Sequence, residues 1–330
     1  MRICFIGEVG HVQYALTTIK QKDTCKVVGV APGSDQENVE KLYDTLCDMG
    51  SNPVKFESYI DMLDTLQPDI AVVSCIFKDH AKVSAEALQR GIHVFVEKPI
   101  ATTLEDLAML RSVYQQSGRY LAPMFGMRYS APFLTAWQEV QNQKVGKIRF
   151  IHVQKSYKFG ERDAFFKQRN TYGGSISWVG SHAIDLAYWF SGEQFKSVVA
   201  LQSTQYNQQH GEMEMSACCQ FQMTNEVFAT INLDYFRPSN ADSHADDRIR
   251  VVGTRGVIEV RHGAVYLIND EQLGEQSLPL LKDEQIFEDF LNRVQGHGPC
   301  RIAAEDAFTV TNACLQATAS ADQGKIIVFE

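Results

Sequence analysis

The run Val94-Phe95-Val96-Glu97-Lys98-Pro99 sets a carboxylate and a primary amine side by side at the end of an apolar segment. A lysine so placed can take a proton from a substrate hydroxyl or return one to it. Free lysine titrates at about 10.4, so Lys98 needs desolvation or a cationic neighbour to act as a base near neutrality. Its other role is to stay charged and polarise a carbonyl oxygen. Glu-Lys-Pro taken alone fits a solvated surface turn equally well. A second constellation lies between Gly173-Gly174 and Trp189. If Ser181 caps a helix there, His182, Asp185 and Trp189 share one stripe. A His and an Asp one turn apart in an apolar run are costly to bury without a purpose or a partner; a structural His–Asp pair is the alternative. Finally, Lys155, Lys158, Arg162, Lys167 and Arg169 face only Glu161 and Asp163 in one stretch. That local basic excess can steer an anionic cofactor or substrate, or form a solvated loop.

These groups need positioning elements. Arg2 to Ile6 reads as a strand broken at Gly7, followed by Gly7-Glu8-Val9-Gly10-His11. The helix after it carries Val12, Ala15, Leu16 and Ile19 on one face. Strand, glycine turn and helix aim backbone N–H groups and a helix dipole at a pyrophosphate. The full fingerprint is G-x-G-x-x-G; here Val9 and Val12 stand where its later glycines would be. Lys26 to Val30 is a second strand, with Ala31 and Pro32 where an acidic ribose ligand usually stands and Asp35 slightly later. Residues 38–68 read as helical, Asp69 to Ser74 as a buried strand, and Asp79 as the cap of a helix running to Arg90 that carries His80 in its first turn. Val94 to Val96 is the next buried strand, whose carboxyl end is where open α/β sheets bind ligands. Thr103 and Asp106 form a capping-box pattern for a helix with Leu104, Leu107, Ala108 and Tyr114 inward. Tyr120 to Met124 closes a doubly wound parallel sheet. Beyond it, helices at 131–143 and 181–191, a long strand at Ile148 to Tyr157 and strands recurring from 196 to 268 predict an α+β domain with a large, mainly antiparallel open sheet. Helices at 284–295 and 303–321 and a strand at 325–329 complete the chain. The expected domains are 1–122 and 123–330.

Composition bounds the class. The 330 residues are too many for one ordinary core. Apolar content of 45% and charged content of 22% are those of a soluble globular protein. No apolar stretch approaches the roughly 18 residues of a membrane span. The first residues have no signal-peptide layout. The eight cysteines show no Cys-x-x-Cys spacing, which argues against a metal site and for reduced thiols in the cytoplasm. A net charge of −9 argues against nucleic-acid and anionic-membrane partners.

Taken together, the glycine turn at 7–10, His80, Ala87-Leu88-x-x-Gly91-x-His93-Val94, Glu97-Lys98-Pro99, Arg128 and Gly-Gly…His182-x-x-Asp185 resemble the Gfo/Idh/MocA family, the oxidoreductases named for glucose-fructose oxidoreductase and inositol dehydrogenase. The resemblance runs through nearly the whole chain. It implies an amino-terminal Rossmann domain binding NAD or NADP, with preference unreadable, through Gly7, Val9, Gly10, His11, Val12, Ser34, Cys75, His80, Glu97 and Lys98. It further implies a cleft between the domains in which Lys98 and His182 face the nicotinamide. Asp185, Arg128, Lys155, Tyr157, Tyr172 and Trp178 are then substrate-binding candidates for a sugar, polyol or sugar-like molecule. A homodimer or homotetramer through the open sheet is expected on the same ground. One departure stands out: inositol-dehydrogenase-like members carry an aspartate four residues before the histidine, and this chain has Trp178. Trp cannot relay a proton, though it can stack on an apolar sugar face. The expected activity is NAD(P)-dependent oxidation or reduction at a hydroxyl or carbonyl. NAD-assisted glycoside cleavage and a dinucleotide-binding regulatory or scaffold role without redox turnover are the alternatives.

Overall fold

The computed structural model describes residues 1–329. In chain order the elements are β1 (Arg2–Ile6), α1 (Gln13–Ile19), β2 (Lys26–Ala31), α2 (Glu40–Asp48), β3 (Val54–Lys55), α3 (Tyr59–Leu66), β4 (Ile70–Val73), α4 (His80–Gln89), β5 (His93–Val96), α5 (Leu104–Ser117) and β6 (Leu121–Pro123). They continue with α6 (Ala131–Gln141), β7 (Ile148–Tyr157), the single turns α7 (Arg169–Tyr172) and α8 (Ser175–Trp178), α9 (Gly180–Ser191), β8 (Phe195–Ser203), β9 (Ser216–Met223) and β10 (Phe228–Asp234). The last are β11 (Ala245–Gly253), β12 (Gly256–Arg261), β13 (Ala264–Asn269), β14 (Gln272–Leu278), α10 (Ile286–Val294), α11 (Ala304–Gln323) and β15 (Ile327–Val328).

The chain forms two compact units. The first holds residues 1–126, 170–173 and 285–311; the second holds 127–169, 174–284 and 312–330. The expected boundary at 122/123 is therefore corrected: a late segment returns to the first unit. The cause is α10, whose buried Ile286, Phe287, Phe290 and Leu291 form one face. Phe95 of β5 meets Phe287 and Phe290 at ring-centroid distances of 5.0 and 5.5 Å.

In the first unit six strands run in the order β3-β2-β1-β4-β5-β6, all parallel. β4 is apolar at every position and fully buried, as a strand covered on both faces must be. β1 pairs with β2 on one side and β4 on the other, so the strand order reverses there and a crevice opens at the carboxyl ends. Three expectations need correction. Residues 38–68 are not one helix: Gly50 takes φ +83° and the chain lays the edge strand β3 between α2 and α3. Asp79 precedes α4 but makes no side-chain cap. On α5 the inward residues are Leu107 and Leu110, while Leu104 and Ala108 face solvent, a shift of the buried face about the helix axis. The Thr103 hydroxyl does accept the Asp106 N–H at 3.1 Å.

In the second unit nine strands run β14-β13-β12-β11-β7-β10-β9-β8-β15. Only β7 and β10 are parallel neighbours; the other pairs are antiparallel. Alternation sends Cys219, Phe221, Met223, Ala229, Ile231 and Leu233 to the core face and Cys218, Gln220 and Gln222 outward. α9 packs on β7 and β10, and α6 on β12 and β13. Among the described residues no helix is long and apolar enough to cross a membrane.

Candidate active site

At the carboxyl ends of β1, β4 and β5 the glycine turn is tied down from two sides. Val9 and Ser74 exchange two bonds: the Val9 N–H donates to the Ser74 carbonyl at 2.7 Å, and the Ser74 hydroxyl to the Val9 carbonyl at 2.7 Å. Gly7 sits at φ +82°, and a Cβ there would lie 2.4 Å from the Cys75 Cα. Only glycine lets β1 turn this close to the end of β4. Gly10, at φ +84°, would push a Cβ to 2.7–2.9 Å from the Glu97 side chain. That carboxylate is wholly buried; its Oε2 accepts the His11 N–H at 2.8 Å and contacts His11 Nδ1 at 2.9 Å. Lys98 Nζ, itself 1% exposed, lies 3.5 Å from Glu97 Oε1. Burial pushes the Glu97 carboxyl up, but the charges of His11 and Lys98 and the His11 bonds win and hold it at about 2. The Glu-Lys-Pro segment is thus a buried ion pair locked to the glycine turn and not a solvated surface turn.

His80 acts from behind. Its ring is fully buried, with Nδ1 2.7 Å from the Pro99 carbonyl and Nε2 2.9 Å from the Cys75 carbonyl. Burial lowers its pKa against the pull of those carbonyls and Glu97. The neutral ring donates its one N–H to one of these carbonyls and lies between them, so His80 fills the space between the segment after Lys98 and the end of β4. Cys75 is equally buried, and burial drives its thiol well above the ordinary range.

Does a dinucleotide fit? The Val9 and His11 amides are used internally. Among the described residues, the Gly10 and Val12 N–H groups at the start of α1 have no protein acceptor. Two amides at a helix start, on a turn whose glycines leave no side chain in the way, are a fit for pyrophosphate oxygens. An acidic group missed in the sequence also lies here. Glu37 folds back so that its Oε2 accepts the Gly33 and Ser34 N–H groups at 2.8 and 3.1 Å, while Oε1 is buried without a hydrogen bond. Burial, opposed by those two amides and reinforced by Asp79 and Glu8, raises its carboxyl to about 7. The signal was an acid following Pro32-Gly33-Ser34; Asp35, the acid nearer the strand end, is exposed.

In the second unit His182 lies on α9 and is 5% exposed. Ser181 is not its helix cap: α9 begins at Gly180, and the Ser181 hydroxyl donates to the Trp178 carbonyl at 2.7 Å. Arg128 and Asp185 are brought together as a buried pair, with Nη2 2.5 Å from Oδ1 and Nε 3.1 Å from both oxygens, and the guanidinium 5.7 Å from the Trp189 ring. These two substrate candidates are occupied with each other, because neither charge tolerates burial alone. Lys155 is buried with Nζ 2.7 Å from Asp247 Oδ2 and 5.0 Å from the Tyr157 ring centroid. Burial alone would neutralise it; Tyr157 and Asp247 reverse that and raise its pKa. Trp178 packs on Phe166 at 4.2 Å and Tyr235 at 5.9 Å, with the Arg162 guanidinium 5.1 Å away. Tyr172, in the segment belonging to the first unit, is fully buried. The Gly174–Ser175 start of α8 is held by Glu214, which accepts the Ser175 N–H at 3.0 Å and pairs with Arg169.

Comparison with known proteins bears on the fold and the family. Residues 1–125 match the model of an oxidoreductase family with an NAD-binding Rossmann fold, and residues 133–259 match the GFO/IDH/MocA C-terminal domain. A solved structure from Thermotoga maritima, provisionally described as an oxidoreductase, superposes with a TM-score of 0.96 at 45% identity over all of both chains. An inositol 2-dehydrogenase/D-chiro-inositol 3-dehydrogenase of Lactiplantibacillus plantarum is 22% identical over 93% of this chain and 85% of its own length. A glycosyl hydrolase family 109 protein of Akkermansia muciniphila is 25% identical over 48% of this chain, and the match spans only 34% of that protein. With both halves matched in order, the chain belongs to the Gfo/Idh/MocA family of NAD-binding oxidoreductases.

Proposed function

We propose that this protein is an NAD-dependent dehydrogenase or reductase acting at a hydroxyl or carbonyl of a sugar, polyol or related molecule. The observation that carries the reading is Lys98: an amine 1% exposed, at the carboxyl end of β5, in a buried ion pair that also fastens the glycine turn. Gly7, Gly10 and the amides of Gly10 and Val12 would hold the cofactor's phosphates, and Glu37 its adenosine ribose. NAD, when bound, supplies the hydride acceptor or donor. Lys98 Nζ is the group that takes the proton from the reacting hydroxyl or returns it to the carbonyl oxygen. Glu97 gives the ammonium form a counter-ion, and His80 packs behind the backbone from which Nζ projects. His182 has the chemistry to share the proton handling, without an acidic partner at position 178. Arg128 and Asp185 support α9 through their mutual pairing.

Replacing Lys98 by Ala is expected to lower kcat by about 10²–10⁴-fold, with NADH affinity in a fluorescence titration largely unchanged. Survival of full turnover would remove Lys98 from the mechanism. The Akkermansia relative's name supports a second reading, glycoside cleavage with the nicotinamide restored within each turnover. Product release from a chromogenic glycoside with no net change in nicotinamide absorbance would select it.

A further inference from the structure

Arg162, in the second unit, has no part in the reaction proposed above. Its guanidinium lies 5.1 Å from the Trp178 ring, 5.2 Å from Tyr235 and 5.9 Å from Phe159. Trp178 and Tyr235 are themselves nearly parallel, at 26°. These ring faces take the place of part of the cation's hydration. Among the described residues no carboxylate lies within ion-pair distance of it. Of its five N–H bonds one has a protein acceptor, the Lys158 carbonyl at 3.2 Å from Nη2. Nε is enclosed without an acceptor, which leaves the two N–H bonds of Nη1 and the second of Nη2 for a ligand. A half-buried cation without a counter-ion is expensive, and the usual recompense is an anion that arrives with the substrate.

The surroundings agree in sign. Lys155 is neutralised by Asp247 at 2.7 Å, so it adds no net charge. Lys158 donates to the Ala241 carbonyl at 2.5 Å and has no carboxylate partner among the described residues. His244 records the field: burial, then Arg162 and Lys158, push its ring below the ordinary histidine value. Asp163 is adjacent in sequence but exposed.

Resting on the dehydrogenase reading, we infer that the substrate is a sugar acid whose carboxylate is bound by Arg162. A carboxylate matches the planar donor edge formed by Nη1 and Nη2. Trp178, where inositol-dehydrogenase-like relatives carry an acid, then has a physical sense: an aspartate beside Arg162 would supply the counter-ion and repel the substrate's own.

The test is calorimetric titration of the NAD-loaded protein with a panel of hexuronates and aldonates, each beside its neutral aldose or alditol and its sugar phosphate. Charged hydrogen bonds of this kind predict a preference for acids of about 10–100-fold. Arg162→Gln should abolish most of it, and Arg162→Lys should retain part, with circular dichroism showing that both fold. Equal binding of neutral sugars, tighter binding of phosphates, failure of every acid to bind, or a preference that survives in Arg162→Gln would each overturn the inference. Nicotinamide absorbance with the same pairs separates the two readings. Acid binding without turnover strikes the redox reading alone. Turnover of neutral polyols by wild type and Arg162→Gln alike strikes only the inference.

Discussion

Glu97 and Glu37 lie in the same unit, and burial, full for Glu97 and partial for Glu37, pushes both carboxyls up, yet they move in opposite directions. Glu97 has His11 and Lys98 to meet its charge; Glu37 has only two amides and the like charges of Asp79 and Glu8. For Glu37 the folded state holds its proton to about pH 7, whereas an unfolded glutamate releases it at about 4.3. Stability is therefore lost as pH rises through that window and stays lower above it. Glu37→Gln, which keeps an acceptor for the Gly33 and Ser34 amides, should flatten that loss and raise the Tm at pH 8. If Glu37 meets the adenosine ribose, wild type should prefer NADH to NADPH by at least about tenfold and the variant much less, measured by paired fluorescence titrations. Unchanged discrimination would place the ribose elsewhere. Glu37 escaped notice in the sequence because its contacts run through a turn, three and four residues back, where no periodicity marks them. Lys98 was legible because a charged pair ending an apolar run has few structural uses.

Among the elements, those with a strong alternation or a wholly apolar core read directly. β7 has the bounds its pattern predicts, and β4 and β5 lie within a residue or two of theirs. β14, polar and mostly exposed along Gln272–Leu278, carries no such signal and was missed. On α5 the apolar residues allow more than one face, and only packing against α4 chooses Leu107 and Leu110. On α9 the stripe of His182, Asp185 and Trp189 was legible, but the partner of Asp185 was not, because Arg128 lies 57 residues away. Asp185→Ala strands the Arg128 guanidinium in the interior and should cost about 3–5 kcal/mol in urea unfolding. A loss below about 1 kcal/mol would mean that the pair is not holding the helix, and Asp185 would return as a substrate ligand.

For the whole molecule, the outer face of the nine-stranded sheet presents Phe150, Val199, Leu201 and Phe228, with Leu201 64% exposed. An apolar patch on a sheet is a liability unless another surface covers it, and a second copy of the chain is the occupant that the resemblance suggests. Leu201→Glu is expected to shift sedimentation velocity toward the monomer, and a wild-type protein already monomeric at micromolar concentration would dismiss that assembly. The return of α10 to the first unit has a consequence of another kind. On a ribosome, β1 to β6 emerge early, but the phenylalanines that close over Phe95 are made only after residue 285. The cofactor-binding half therefore waits, with part of its apolar surface uncovered, while the second unit is synthesised between its two pieces. Nascent chains in that interval are natural clients for chaperones, and a chain stopped anywhere before α10 would carry the whole glycine turn yet lack the phenylalanines that cover Phe95.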